Sequence, residues 1–275
     1  MSFAARPYPE RTGTDLCWFA VLTLLISWGP LAVAIMHGSA SGPWFIIGTS
    51  GPTLAALLLW LAGRRRPRDP GRAVVSRVWV WAPAAVVLGV LPSVVAAALA
   101  PALGGPPFDP SAPGRIVGET GGLLAASVML LVAGPLAEEF GWRGYAQPRL
   151  QRRFGPLATS VVLGVGWAVW HLPLFFVEGT SQAAMGIGSL AAALFLLVFV
   201  PLTYLFWFVS ARLGGGVASA VLMHAALNAG FTFLGISSAA ALAVVLVTAT
   251  AAALIVGARL RGPAHTTAPA AAVSS

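Results

Sequence analysis

No lysine occurs anywhere in the chain, charged residues of every kind make up only 9% of it, and Cys17 is its single cysteine. Each scarcity excludes something. A water-soluble domain carries about a quarter charged residues, so this chain has too few to cover a surface facing water. One cysteine permits neither an intrachain disulfide nor a cysteine-based metal cluster. Cys17 opens an apolar run and reads as a small helix residue rather than a nucleophile. Alternating polar and apolar positions, the mark of a membrane barrel strand, are also missing.

In their place stand long apolar runs. Hydrophobic residues make up 58% of the 275 positions, and a helix crossing a bilayer needs roughly 20 of them in succession. Eight stretches qualify or nearly do: Cys17 to His37, Pro43 to Ala62, Val78 to Ala100, Gly121 to Tyr145, Thr159 to Val177, Leu190 to Ser210, Val217 to Leu234 and Ala239 to Ala258. Backbone polar groups in lipid must be satisfied within the segment, so continuous runs of this length predict helices. The expected fold is an all-α, polytopic membrane bundle of about eight transmembrane helices. The first run, 21 residues long, exceeds a signal-peptide core and reads as a retained helix. Residues 1–16 form an N-terminal segment, 17–261 one membrane domain, and 262–275 a disordered tail of Ala, Thr, Pro and Ser. Pro101 to Thr120, rich in Gly and Pro, reads as a loop.

The net charge of +8 raises the question of nucleic acid, and the positions of the charges answer it. All sixteen basic residues are Arg, and they collect in alternate connections: Arg6 and Arg11; Arg64 to Arg77; Arg149, Arg152 and Arg153; Arg212; Arg259 and Arg261. The intervening loops hold only Arg115. This is the positive-inside bias. It predicts a multi-pass protein of the cell membrane with both termini cytoplasmic, whose basic face meets the anionic leaflet of the lipid bilayer; no nucleic-acid partner is expected. Arg without Lys, among abundant Ala and Gly, suggests a GC-rich bacterial genome. Arg149 to Phe154 is expected as a short interfacial helix, Arg toward headgroups and Leu150 and Phe154 toward lipid. Trp44 and Trp60 bracket the second run, and Trp79 and Trp81 open the third, as interfacial aromatics do.

Ionisable groups inside such runs are costly, and each marks a candidate site. Three clusters stand out: Glu138-Glu139-Phe140-Gly141-Trp142-Arg143 in the fourth run, Trp167 to His171 in the fifth, and His224 to Asn228 in the seventh. With Arg149, Pro156 and Arg212 marking the cytoplasmic face and a rise of about 1.5 Å per residue, Glu138, His171 and His224 all lie roughly 16 to 23 Å deep. Three helices thus carry ionisable groups to one level. Glu139 and Arg143, at i and i+4, can pair on one face, which turns Glu138 about 100° away to face a cavity. His224 and Asn228 are also i and i+4.

Peptide hydrolysis requires a base to activate water, an acid for the leaving amine and donors for the developing oxyanion. Glu138 with His171 can supply the base and proton shuttle, and His224 with Asn228 the oxyanion donors. A Glu and two His also make a three-ligand zinc set, so Glu138, His171 and His224 are the metal candidates, and the residues by themselves leave the metal question open. Gly48-Thr49-Ser50-Gly51 reads GxSG, as in rhomboid-type serine proteases, but the motif is short and Pro52 follows it; helix packing accounts for it better.

The three clusters resemble the intramembrane motifs of the CPBP family, the type II CAAX prenyl endopeptidases and bacteriocin-processing or self-immunity proteins. These are EExxxR, an aromatic followed four residues later by His, and HxxxN or HxxxD. The likeness covers roughly residues 123–233, with Trp167 standing where the family often has Phe, a change expected to be minor between two large aromatics. The resemblance implies an eight-helix membrane protease acting on a membrane-associated peptide or protein. Its catalytic set would be Glu138 as base, His171 as partner, His224 and Asn228 at the oxyanion, and Glu139 and Arg143 in support. No cofactor is favoured, and zinc is the alternative. A non-catalytic immunity or partner-binding protein, or a proton-coupled transporter using the same Glu and His, is the competing reading.

Overall fold

Proline and glycine within apolar runs decide where this bundle bends, and the bends place the polar residues. The computed structural model describes residues 12–64 and 77–261. The expectations for residues 1–11, for 65–76 with four of the loop arginines, and for the tail 262–275 lie outside them. Among the described residues there is no strand. In chain order the helices are α1 (Thr12–Met36), α2 (Pro43–Thr49), α3 (Gly51–Leu61), α4 (Val78–Leu99), α5 (Ala112–Glu119), α6 (Leu123–Leu131), α7 (Ala137–Glu139), α8 (Gln147–Leu150), α9 (Pro156–Trp170), α10 (Ser181–Met185), α11 (Leu190–Trp207), α12 (Gly216–Phe233) and α13 (Ala239–Arg261).

Seven helical stretches among the described residues are long and apolar enough to cross a membrane, Leu123–Leu150 counting as one of them. The pair α2 and α3, bent by 66°, makes an eighth if it is a single span. Each of the eight expected runs therefore has its helix or helix pair. The all-helical, multi-pass bundle is the fold. Its outer surface is apolar, with Leu124 80% and Val247 69% exposed, as lipid-facing side chains are.

Inside, α4 packs on α12 and α13, α11 on α9 and α13, and α1 on α2 and α3. Trp167, Trp170, Phe206, Leu202 and Met223 lie at the centre. The segment carrying Glu138 and Glu139 is seated against α3 at Gly141, where a Cβ would run into the Pro52 backbone; only glycine permits that approach. Ser50 of the GxSG stretch lies in the α2–α3 bend, and its hydroxyl donates to Ile46 O at 2.7 Å. It serves the bend.

Three local expectations are corrected. The Arg149–Phe154 stretch is not an interfacial helix: α8 ends at Leu150, and both Arg149 and Leu150 are buried. The reason is a counter-ion that composition hides. Asp15 is carried inward by α1 and accepts from Arg64 Nη1 at 2.7 Å, with Arg149 Nε 3.7 Å away. Arg149 also donates to Tyr145 O and Arg64 O and lies 3.5 Å over the Tyr145 ring, so its charge is satisfied within the protein. Trp81 turns into the core instead of to the interface, unlike the exposed Trp44, Trp60 and Trp79. The stretch expected to be loop contains the eight-residue helix α5.

Candidate active site

The fourth span is not the continuous helix its hydropathy suggests. Pro135 has no N–H to donate, and its ring clashes with the preceding turn. Gly134 takes φ 122° and ψ −74°, a region in which side-chain-bearing residues are strained, and Ala133 also leaves helical geometry. The winding is π-type at Val132–Leu136 and again at Phe140–Ala146. Such insertions are found where a helix must re-aim its side chains. Between them α7 presents Glu138 and Glu139, both buried.

Glu139 anchors one side of the site. Its Oε1 lies 3.1 Å from Arg143 Nη1 and 2.8 Å from His224 Nδ1, with the side chains of Glu139 and Arg143 fully buried. The intrahelical Glu139–Arg143 pair is as the spacing predicts. The bond to His224 is an addition: it joins α7 to α12 and leaves His224 Nε2 turned away from the carboxylate. The Arg143 guanidinium also lies between two aromatic rings, 4.2 Å from the centre of Trp167 and 3.9 Å from that of Phe206. Contacts of this kind stabilise a desolvated cation.

Glu138 divides its two oxygens. Oε2 accepts from Trp167 Nε1 at 2.6 Å and from Trp142 Nε1 at 3.3 Å. Oε1 faces Gly134. The point where any other residue would carry its Cβ lies 3.1 Å from Asn228 Nδ2, 3.3 Å from His224 Nε2 and 3.5 Å from Glu138 Oε1. Three polar atoms from two spans thus border one small opening, which exists because position 134 is glycine. Asn228 is half-buried, and Nδ2 makes one long bond to Ala133 O at 3.5 Å.

His171 sits differently from the expectation that pairs it with Glu138. Its Nδ1 lies 2.8 Å from Trp167 O. A carbonyl only accepts, so Nδ1 carries the proton and Nε2 is the acceptor of the neutral ring. His171 and Glu138 are connected through Trp167, whose carbonyl accepts from one and whose indole donates to the other. The ring lies tilted by 35° against Phe199 and edge-on to Trp170.

A cavity of about 280 Å³ adjoins these groups, with His171, His224 and Asn228 in a wall otherwise formed largely by Phe195, Phe199, Leu227 and Phe231. The structure therefore gathers Glu138, Glu139, Arg143, His171, His224 and Asn228 in one region. Sequence reasoning missed Gly134 and both indole donors. The Gly134-Pro135 break inside an apolar run was the signal for the first. Trp142 at i+4 from Glu138 was a signal for one of the others.

Among the described residues, no three His, Cys, Asp or Glu side chains are grouped closely enough to hold a metal ion. Glu138 Oε2 is occupied by two indoles and His224 Nδ1 by Glu139, while an amide, Asn228 Nδ2, borders the opening. The atoms left free, Glu138 Oε1, His171 Nε2 and His224 Nε2, are the ones a zinc ion would need, but they are not grouped closely enough here to hold one, and no step below passes through a metal.

Residues 120–230 match the family model described as type II CAAX prenyl endopeptidase Rce1-like. The matched stretch carries the three motifs that resemble those of the CPBP family. A curated relative, CAAX prenyl protease 2 of Methanococcus maripaludis, is 30% identical over 111 residues. The match takes in 40% of this chain and 41% of that protein, so the chain spans about two fifths of the length of the relative it matches. The matched stretch contains all three motifs and runs from the end of α5 to the last turn of α12.

Proposed function

We propose that the chain is an intramembrane endopeptidase that hydrolyses a peptide bond of a membrane-associated protein or peptide. The observation that carries this reading is the opening at Gly134, bordered by Glu138 Oε1, His224 Nε2 and Asn228 Nδ2 within 3.1 to 3.5 Å of one point. A carboxylate oxygen beside two nitrogen donors is what water attack on a carbonyl requires. The match to a protease family supports the same conclusion.

In this mechanism Glu138 Oε1 takes a proton from water, and the resulting hydroxide adds to the scissile carbonyl carbon. The negative oxygen of the tetrahedral intermediate is held by Asn228 Nδ2 and by His224 Nε2. His224 donates from Nε2 while its Nδ1–H remains on Glu139, so the ring carries both protons; Glu139 is already paired with Arg143, and the charge of the ring is met by the oxyanion itself. Collapse breaks the C–N bond, and the proton reaches the leaving nitrogen from Glu138, with His171 Nε2 as the alternative carrier. Glu139 and Arg143 hold His224 in place. The protein works in the cell membrane with both termini in the cytoplasm, as the arginine distribution indicates.

The test is a comparison of membrane-derived peptides in cells carrying the wild-type protein and Glu138→Gln at equal expression. Cleavage products that vanish with the variant are expected. An unchanged peptide profile together with a retained cellular phenotype would favour a binding, immunity or transport role instead. Elemental measurement of active, detergent-purified protein addresses the metal. One zinc per chain, removed and restored together with activity, would overturn the metal-free mechanism.

A further inference from the structure

Both Glu138 oxygens are accounted for, and they are treated unequally. Two indole N–H groups, from Trp167 at 2.6 Å and Trp142 at 3.3 Å, converge on Oε2. The atom that borders the Gly134 opening is Oε1. Indole nitrogen donates and never accepts. A proton on Oε2 would therefore sit between two N–H groups that have nothing to receive it, whereas a proton on Oε1 leaves both indole bonds intact. Trp142, Trp167 and Glu138 are all buried, so water does not relieve that conflict. The other inward tryptophan of this region, Trp170, directs its N–H to Ser27 Oγ at 2.6 Å; a hydroxyl suffices to satisfy a buried indole in this bundle.

We propose that Trp142 and Trp167 are positioning residues that reserve Oε2 for hydrogen-bond acceptance and confine the proton of Glu138 to Oε1, the oxygen facing His224 and Asn228. This rests on the reading of Glu138 as the base. It gives the tryptophan at position 167 a function that phenylalanine cannot supply. Phenylalanine would keep the ring contacts to Phe199, Phe206 and Arg143 but would leave Oε2 with the single, longer bond from Trp142. The carboxyl could then turn, or carry its proton on the side away from the opening.

Infrared difference spectroscopy of the detergent-purified full chain reads the proton's location directly. At low pH the wild-type spectrum minus that of Glu138→Gln isolates the carboxyl C=O stretch of Glu138. With the proton on Oε1 the C=O group is Oε2, which accepts two bonds, so Trp167→Phe is expected to move the band to higher wavenumber. Trp142→Phe should move it less, and it stands in should Trp167→Phe fail to fold. On the peptide identified by the membrane-peptide comparison, Trp167→Phe should lower kcat roughly 10- to 100-fold, the effect of one hydrogen bond to a charged group, with KM unchanged and the chain still folded by circular dichroism. A band that neither substitution moves, or no band responsive to Glu138→Gln, overturns the proposal. So does a shifted band with unaltered kcat, because the indoles then position nothing the reaction uses. Full activity of Glu138→Gln would instead overturn the assignment of the base, and the band shift would still report where the proton sits.

Discussion

His224 Nδ1 lies 2.8 Å from Glu139 Oε1, although 85 residues separate the two in the chain. That bond fastens α12 to α7 and determines which ring nitrogen of His224 faces the Gly134 opening. Arg143, bound to the same carboxylate oxygen, completes a buried triad that no single helix could build.

Removing Arg143 should therefore cost stability as well as activity. Arg143→Ala leaves the Glu139 carboxylate with only His224, and breaking a buried pair costs about 3–5 kcal/mol. A clear fall in melting temperature in detergent is expected along with lost turnover. An inactive variant that melts like the wild type would mean that Arg143 contacts the substrate instead.

Gly134→Ala places a methyl group against Asn228 Nδ2, His224 Nε2 and Glu138 Oε1. The positive φ adds a backbone cost of about 1–3 kcal/mol. Turnover should fall on the order of 10²-fold or more, as misplacement by about 1 Å does, with the variant still folded by circular dichroism. A fully active alanine variant would show that the reacting carbonyl lies elsewhere.

Glu138→Gln should lower kcat by about 10²–10⁴-fold, the contribution of a general base. If His171 acts in the same proton relay, the Glu138→Gln/His171→Ala double variant should be little worse than the poorer single one, because groups acting as a unit are not additive. Asn228→Ala removes one oxyanion donor and should cost about 10²–10³-fold. Single-turnover kinetics on the four variants checks the pattern. Additive losses for Glu138 and His171 would separate their roles.

The positive-inside bias of the arginines predicts an orientation that labelling can check. With Cys17 replaced by Ser, a cysteine at position 68 should resist a membrane-impermeant thiol reagent applied from outside, and one at position 108 should react. The reverse pattern would invert the topology.

The chain's composition determined that this is a helical membrane protein, because apolar runs of spanning length leave the backbone no other way to satisfy its polar groups in lipid. The i, i+4 spacings determined the Glu139–Arg143 pair, since both partners lie on one helix face. The three motifs pointed to the six polar residues because charge inside an apolar run is rare enough to stand out. What the sequence could not decide was which atom faces which. Hydropathy reads Gly121 to Tyr145 as one run and does not register that Gly134 and Pro135 break the helix, re-aim Glu138 and open the space between it and α12. It treated tryptophan and phenylalanine at position 167 as equivalent, because both are large and apolar; only in the folded bundle does the indole N–H meet Glu138 Oε2 at 2.6 Å. It paired His171 with Glu138, whereas the fold joins His224 to Glu139 and gives His171 to a backbone carbonyl. It placed Arg149 at the headgroups, because a counter-ion 134 positions earlier, Asp15, becomes a neighbour only when α1 and α8 pack together. Hydropathy and helical spacing are properties of one segment, while hydrogen-bond partners belong to pairs of segments, and tertiary packing alone chooses the pairs.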